Sequence, residues 1–220
     1  MSVTFTETQK KVLSIIPHIS GPISFIGSSW ILYEVLSDRT KWSKPYHRLL
    51  FSMAFFDAIS SVAFSFSTIP IPKGSPDVYS PLGTQGTCSA QAFFIQAGIA
   101  SPLFNFSLSL YYLFLVKYAV PESRIRQRIE PWMQRITVSF AFGSCFVCLG
   151  LGMFNDSSLW CWINALPKGC SQSYNSQDGT CTRGDNAEIF RWLFFFAPLW
   201  AAILGTMVSM YMLKKIQIQT

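Results

Sequence analysis

The residues of this 220-residue chain with chemistry to offer are few: six cysteines, two histidines and one aspartate set in an apolar run. Cys145 and Cys148 have the CxxC spacing of a thiol redox pair, but they lie inside a continuous apolar stretch, where packing is the expected role. Cys148 also forms a row of small residues at spacing four with Ser144 and Gly152, which suits close helix contact. Cys88, Cys161, Cys170 and Cys181 make an even set at the edges of apolar runs, as a disulfide framework requires. Their spacings do not match the paired short loops of a zinc site. His18 and His47 fall near opposite ends of the apolar runs, and no Ser–His or His–carboxylate pair can be assembled within one run. Enzymatic chemistry is not expected, and neither is a cofactor or a resident metal. That leaves Asp57, the one charge in LLFSMAFFDAISSVAFSFSTIPI, Leu49 to Ile71. At bilayer depth a carboxylate costs roughly 2.5–3.5 kcal/mol, so it needs partners.

The elements that must position these groups follow from composition. Half the residues are hydrophobic and 13% are charged, against about a quarter charged in a soluble domain. The apolar residues gather into five runs, 12–36, 49–71, 88–116, 136–154 and 189–213. Each approaches or exceeds the ~20 residues a helix needs to cross ~30 Å of hydrocarbon. A single all-α, polytopic transmembrane bundle over 1–220 is expected, with the lipid bilayer as its solvent. Pro22, Pro102 and Pro198 do not weaken this, because prolines are common in membrane helices. No cleavable signal peptide is visible, and the first run reads as a signal anchor.

Basic residues set the orientation. Eleven of the seventeen, including Arg124, Arg126, Arg128, Lys214 and Lys215, fall on the side of the first and third loops and the C-terminal end. The positive-inside rule makes that side cytoplasmic and the N-terminus external, in a multi-pass protein of the plasma membrane. The net charge of +6 then describes inner-leaflet and cytoplasmic contacts rather than nucleic-acid binding. The four edge cysteines come out on the oxidising side, three of them in a long outer loop over 155–188. That loop also holds the sequon Asn155-Asp156-Ser157 and the stretch Trp160-Cys161-Trp162-Ile163.

A cysteine at the outer end of the third span, a WCW tripeptide after the fourth, Asp57 ending SMAFFD and the stretch Ala197-Pro198-Leu199-Trp200 together resemble a known family. It is the seven-helix G-protein-coupled receptors, specifically the slime-mould cyclic-AMP receptor-like group and its secretin-type relatives. The resemblance covers nearly the whole chain. It implies that Cys88 bridges to Cys161 across the outer face, leaving Cys170 for Cys181; joining Cys88 to Cys170 or Cys181 is the competing pairing. It also implies a heterotrimeric G protein as partner and an extracellular ligand that the residues do not identify. Two departures stand out. The chain ends at Thr220 after five spans, so it is expected to be part of a seven-span receptor. The inner end of the third span reads YYLFLVKY rather than carrying Asp-Arg-Tyr. No lysine lies within a span, so retinal photochemistry finds no support.

On this reading Gln91, Gln96, Trp162 and Trp192 are candidates for an outer ligand pocket, and Arg124, Arg126, Arg128, Lys214 and Lys215 for the G-protein face. Counting residues from the inner helix ends puts Ser28, Asn105 and Ser109 at the depth of Asp57, about 12 Å in at ~1.5 Å per residue. A polar cluster of these four is expected, with room for water or sodium. The alternatives are a five-span adaptor that binds another membrane protein through its bridged loop, or a transporter. A transporter should show internal repeats or several intramembrane charges.

Overall fold

The computed structural model describes residues 6–76, 78–168, 170 and 181–219. Residues 169 and 171–180 of the expected outer loop lie outside the described residues. The described chain is mostly helical, and five helices are long and apolar enough to cross a membrane: α1 (Glu7–Ser37), α2 (Pro45–Ser65), α3 (Gln85–Lys117), α4 (Glu122–Gly150) and α5 (Ala187–Ile216). Between α4 and α5 lies a short antiparallel hairpin, β1 (Phe154–Asp156) and β2 (Cys161–Ile163), in which Asn155 faces Trp162 and Asp156 faces Cys161.

The ends differ from the apolar runs where hydropathy and helix propensity part company. α2 stops at Ser65 although its apolar run continues to Ile71. Ser67 turns to φ 44°, and Pro70 and Pro72 follow. α4 begins at Glu122, well before Ile136, because Arg and Gln are good helix formers that a hydropathy reading discounts. Pro131 sits near its start, and the π-turn Ile125–Ile129 just before it absorbs the missing donor. The fourth run was expected to reach Phe154, but α4 ends at Gly150 and Phe154 opens β1. At the α1–α2 connection, Asp38 caps a short helical turn over Arg39–Trp42. The hydroxyl and amide of Thr40 hold its carboxyl below the ordinary aspartate range.

α3 is the central helix and packs on α2, α4 and α5, whereas α1 packs mainly on α2. The close α2–α3 approach depends on Gly98, where an added Cβ would stand 2.8 Å from Cβ of Ser60. Between α1 and α2, Ser24 meets Ser61 at 3.0 Å and Ser14 meets Thr68 at 3.0 Å. The rest of α1 exposes Ile16, Ile19, Ile23, Ile26 and Trp30. Two apolar cores result. One gathers Leu49, Phe56, Phe104, Ile125 and Ala141; the other joins Ile71, Cys88 and Cys148 to Phe154, Cys161 and Ile163 of the hairpin.

Candidate functional site

The hairpin is fastened over one end of the bundle by a covalent bond and a set of buried amides. Cys88 at the start of α3 is bonded to Cys161 on β2, and Cys170 is bonded to Cys181. One turn along α3, Gln91 donates to the carbonyls of Ala63 (3.1 Å) and Ser67 (2.8 Å), where α2 has run out of intrahelical donors. Its carbonyl accepts the backbone N–H of Cys161 at 2.9 Å. Gln91 thus ties α2, α3 and the hairpin together.

Gln96 does the same for the other side. It is fully buried; it donates to the hydroxyl of Ser144 on α4 (3.2 Å) and to the carbonyl of Phe194 on α5 (3.1 Å). Its own carbonyl accepts from the Trp162 indole at 3.0 Å. The Phe194 carbonyl is available because Pro198, four residues on, has no N–H to bond it. The proline in APLW therefore creates the acceptor that Gln96 uses. Arg191 completes the junction by donating to the Ile163 carbonyl at 3.0 Å and to Asn164 Oδ1 at 3.1 Å, with its guanidinium 5.6 Å from the Trp162 ring.

These contacts change the expected ligand pocket. Gln91 and Gln96 were candidates for the pocket wall, with packing as the other reading; in the structure their polar groups are consumed by internal hydrogen bonds. Trp162 is half-buried against Phe195, whereas Trp192 is 54% exposed and stands apart from the other three. A helix has one inward face, and Phe190, Phe194 and Phe195 occupy that of α5.

The cluster expected around Asp57 is not assembled either. Ser101 of α3 is the side chain beside its carboxyl. Asn105, one turn further along α3, is exposed and has no hydrogen bond among the described residues. Ser109 donates to the Phe106 carbonyl of its own helix (2.7 Å), and Ser28 is buried on α1. Counting from the ends of apolar runs misjudged the height, because α2 begins at Pro45 and not at Leu49, and the interruption of α3 at Gly98 and Ile99 further shifts its faces. The oxygens expected around a sodium ion are not brought together, and among the described residues no three His, Cys, Asp or Glu side chains converge as a metal site.

At the opposite end lies a pair that sequence reasoning missed. Arg48 at the start of α2 donates through Nε (2.6 Å) and Nη2 to the two carboxylate oxygens of Glu130 on α4. Gln134 also donates to Glu130 at 3.2 Å, and Nη1 of Arg48 reaches the Trp42 carbonyl at 3.0 Å. Glu130 is 3% exposed. Nearby, the Tyr111 hydroxyl donates to Glu122 at 3.3 Å. The basic candidates Arg124, Arg126, Arg128, Lys214 and Lys215 are exposed at this end. His18 meets the Ser65 carbonyl, and Nδ1 of His47 is buried without a hydrogen bond. Cys145 and Cys148 are buried thiols; Cys145 packs against the Phe93 carbonyl at 3.4 Å, as expected of helix contact.

The sequon residue Asn155 is fully buried. It donates to the carbonyls of Gly152 (3.0 Å) and Asn164 (2.7 Å), so both amide hydrogens are used. A glycan on that nitrogen is incompatible with this fold. Treatment of the expressed protein with an N-glycosidase is expected to leave its mobility unchanged; a shift abolished by Asn155→Gln would contradict the burial.

No protein-family model and no curated protein matches the chain.

Proposed function

We propose that the chain is a multi-pass membrane protein of the plasma membrane, N-terminus outside, that transduces signals as a G-protein-coupled receptor of the cyclic-AMP receptor-like type. Membrane residence is supported by the five long apolar helices and by the exposed isoleucine-rich face of α1, which water would not tolerate over such an area. The observation that carries the receptor reading is the strap from the start of α3 to the hairpin, at the end of the bundle opposite the arginine-rich connection between α3 and α4. Such a strap couples what binds outside to the central helix, and a ligand preferring one arrangement of α3 shifts the population of both ends. Arg124 and Arg126, with Lys214 and Lys215, form the face offered to an acidic cytoplasmic partner.

The adaptor reading draws on one observation: Gln91, Gln96 and the Trp162 indole are already satisfied, so the strapped end is a built surface rather than an open polar cup. The two readings separate in reconstituted vesicles holding the protein as purified from its native source and a heterotrimeric G protein. A receptor raises guanine-nucleotide exchange above that of protein-free vesicles, further with cyclic AMP on the outer side if that is its ligand. Arg124→Gln with Arg126→Gln lowers the exchange several-fold. Exchange equal to that of protein-free vesicles under all conditions would reject the receptor and leave the adaptor.

A further inference from the structure

Between α3, α4 and α5, toward the basic end of the bundle, runs an apolar groove of about 690 Å³. Its walls include Leu103, Phe106 and Phe114 of α3, Met133 and Phe140 of α4, and Pro198 of α5. The polar side chains on it are turned to their own backbone or buried: Ser107 donates to the Leu103 carbonyl at 2.9 Å, and Thr137 is 5% exposed. Two lining residues break the apolar pattern, and both lie at one end. Arg128 is exposed and makes no hydrogen bond or ion pair among the described residues, and Trp132, one turn on, is 62% exposed. Arg135 stands 5.8 Å from the Trp132 ring and adds a second cation beside that end.

We propose that this groove binds one acidic phospholipid of the cytoplasmic leaflet, its phosphate on Arg128 and an acyl chain along α3 and α4. The proposal rests on the membrane-spanning reading above and not on the receptor reading. Length supports it. From Arg128 to Phe140 along α4 is about 18 Å, and from Phe114 to Leu103 along α3 about 17 Å, at ~1.5 Å per residue. One leaflet of hydrocarbon is about 15 Å deep, half of the ~30 Å core. The groove therefore reaches from headgroup level to the bilayer midplane, the span of a single acyl chain. Charge complementarity selects the headgroup: an unpaired guanidinium binds a phosphate through two parallel N–H donors, and the cytoplasmic leaflet is the anionic one. Trp132, with an apolar body and a polar N–H, suits the boundary between the two. Arg128 thereby acquires a role distinct from Arg124 and Arg126, which do not line the groove.

The test uses the full chain in nanodiscs containing phosphatidylserine and phosphatidylcholine, with a photoactivatable acyl chain on phosphatidylserine as the probe. Resistance of the cellular protein to alkaline carbonate extraction is measured first, since release there would refute the membrane reading rather than this site. Crosslinks are expected at Met133, Phe140 or Leu103. Arg128→Gln is expected to lower phosphatidylserine labelling about fivefold, the worth of one arginine near an anionic surface, with phosphatidylcholine labelling unchanged. Arg126→Gln, at an exposed position outside the groove, should leave both unchanged. Equal labelling of wild type and Arg128→Gln would overturn the proposal. So would an equal loss in Arg126→Gln, which would show diffuse attraction and no site. Because Arg128 has no partner among the described residues, its variant is expected to fold, and a monodisperse elution profile checks this.

Discussion

Replacing Glu130 with Gln should destabilise the protein by about 3–5 kcal/mol, the usual cost of removing one member of a buried ion pair. The reason is what remains. Arg48 has a side chain only 17% exposed, and its Nε and Nη2 both point at the Glu130 carboxylate. With the carboxylate gone, a partly buried guanidinium stands beside a neutral amide, and the Trp42 and Ser43 carbonyls accept only from its Nη1. In detergent, the apparent melting temperature is expected to fall by roughly 10 °C on the scale of domains this size. The double substitution Arg48→Met with Glu130→Leu should recover most of the loss, because two apolar side chains of similar volume owe nothing to water. Equal melting temperatures for wild type and Glu130→Gln would show that the pair is solvated and of little weight. If the double variant were as unstable as the single one, packing and not charge would be the cause. The pair joins the start of α2 to the third turn of α4, so its loss should also loosen the basic end against the rest of the bundle.

The second large effect is expected from Cys88→Ser. The bond to Cys161 closes 73 residues of chain. Its chain-entropy contribution is about 4 kcal/mol, against about 3 kcal/mol for the bond between Cys170 and Cys181, which closes 11. The difference in consequence should be larger than those figures. The Cys161 backbone N–H donates to Gln91, which in turn satisfies two carbonyls at the end of α2, so freeing the hairpin exposes buried acceptors as well. Cys88→Ser is therefore expected to lose most of the folded, monodisperse fraction, and Cys170→Ser to retain it. Non-reducing peptide mapping of the wild type checks the pairing itself. A fragment joining Cys88 to Cys170 or Cys181 would contradict it, and so would Cys88 found as a free thiol.

What the sequence determined by itself is local. Five apolar runs of membrane-spanning length became five helices, since a helix satisfies its own backbone and needs no distant partner to form. The contrast between apolar runs and arginine-rich stretches likewise put the basic residues at helix ends. The resemblance supplied a bond between Cys88 and Cys161, and the structure contains it. Of the small row Ser144, Cys148 and Gly152, the first two are buried on α4, whereas Gly152 lies beyond the helix end with φ 66° and faces Arg183.

Tertiary structure alone decided how each helix is rotated and what its polar groups meet. Arg48 and Glu130 are 82 residues apart in the chain, and hydropathy assigned Arg48 to a loop and left Glu130 in another. Asp57 was given the wrong neighbours on α3: its partner Ser101 lies one turn beyond Asn105 and two beyond Ser109, because the count began from apolar-run ends and α2 starts four residues earlier than its run. Gln91 and Gln96 read as pocket residues because a glutamine in an apolar run looks unpaired. Their partners are carbonyls released by the end of α2 and by Pro198, and those acceptors face them only once α2, α3 and α5 have packed. A buried amide must find every partner within about 3 Å. That condition is met by the register between helices, which no single stretch of this chain encodes.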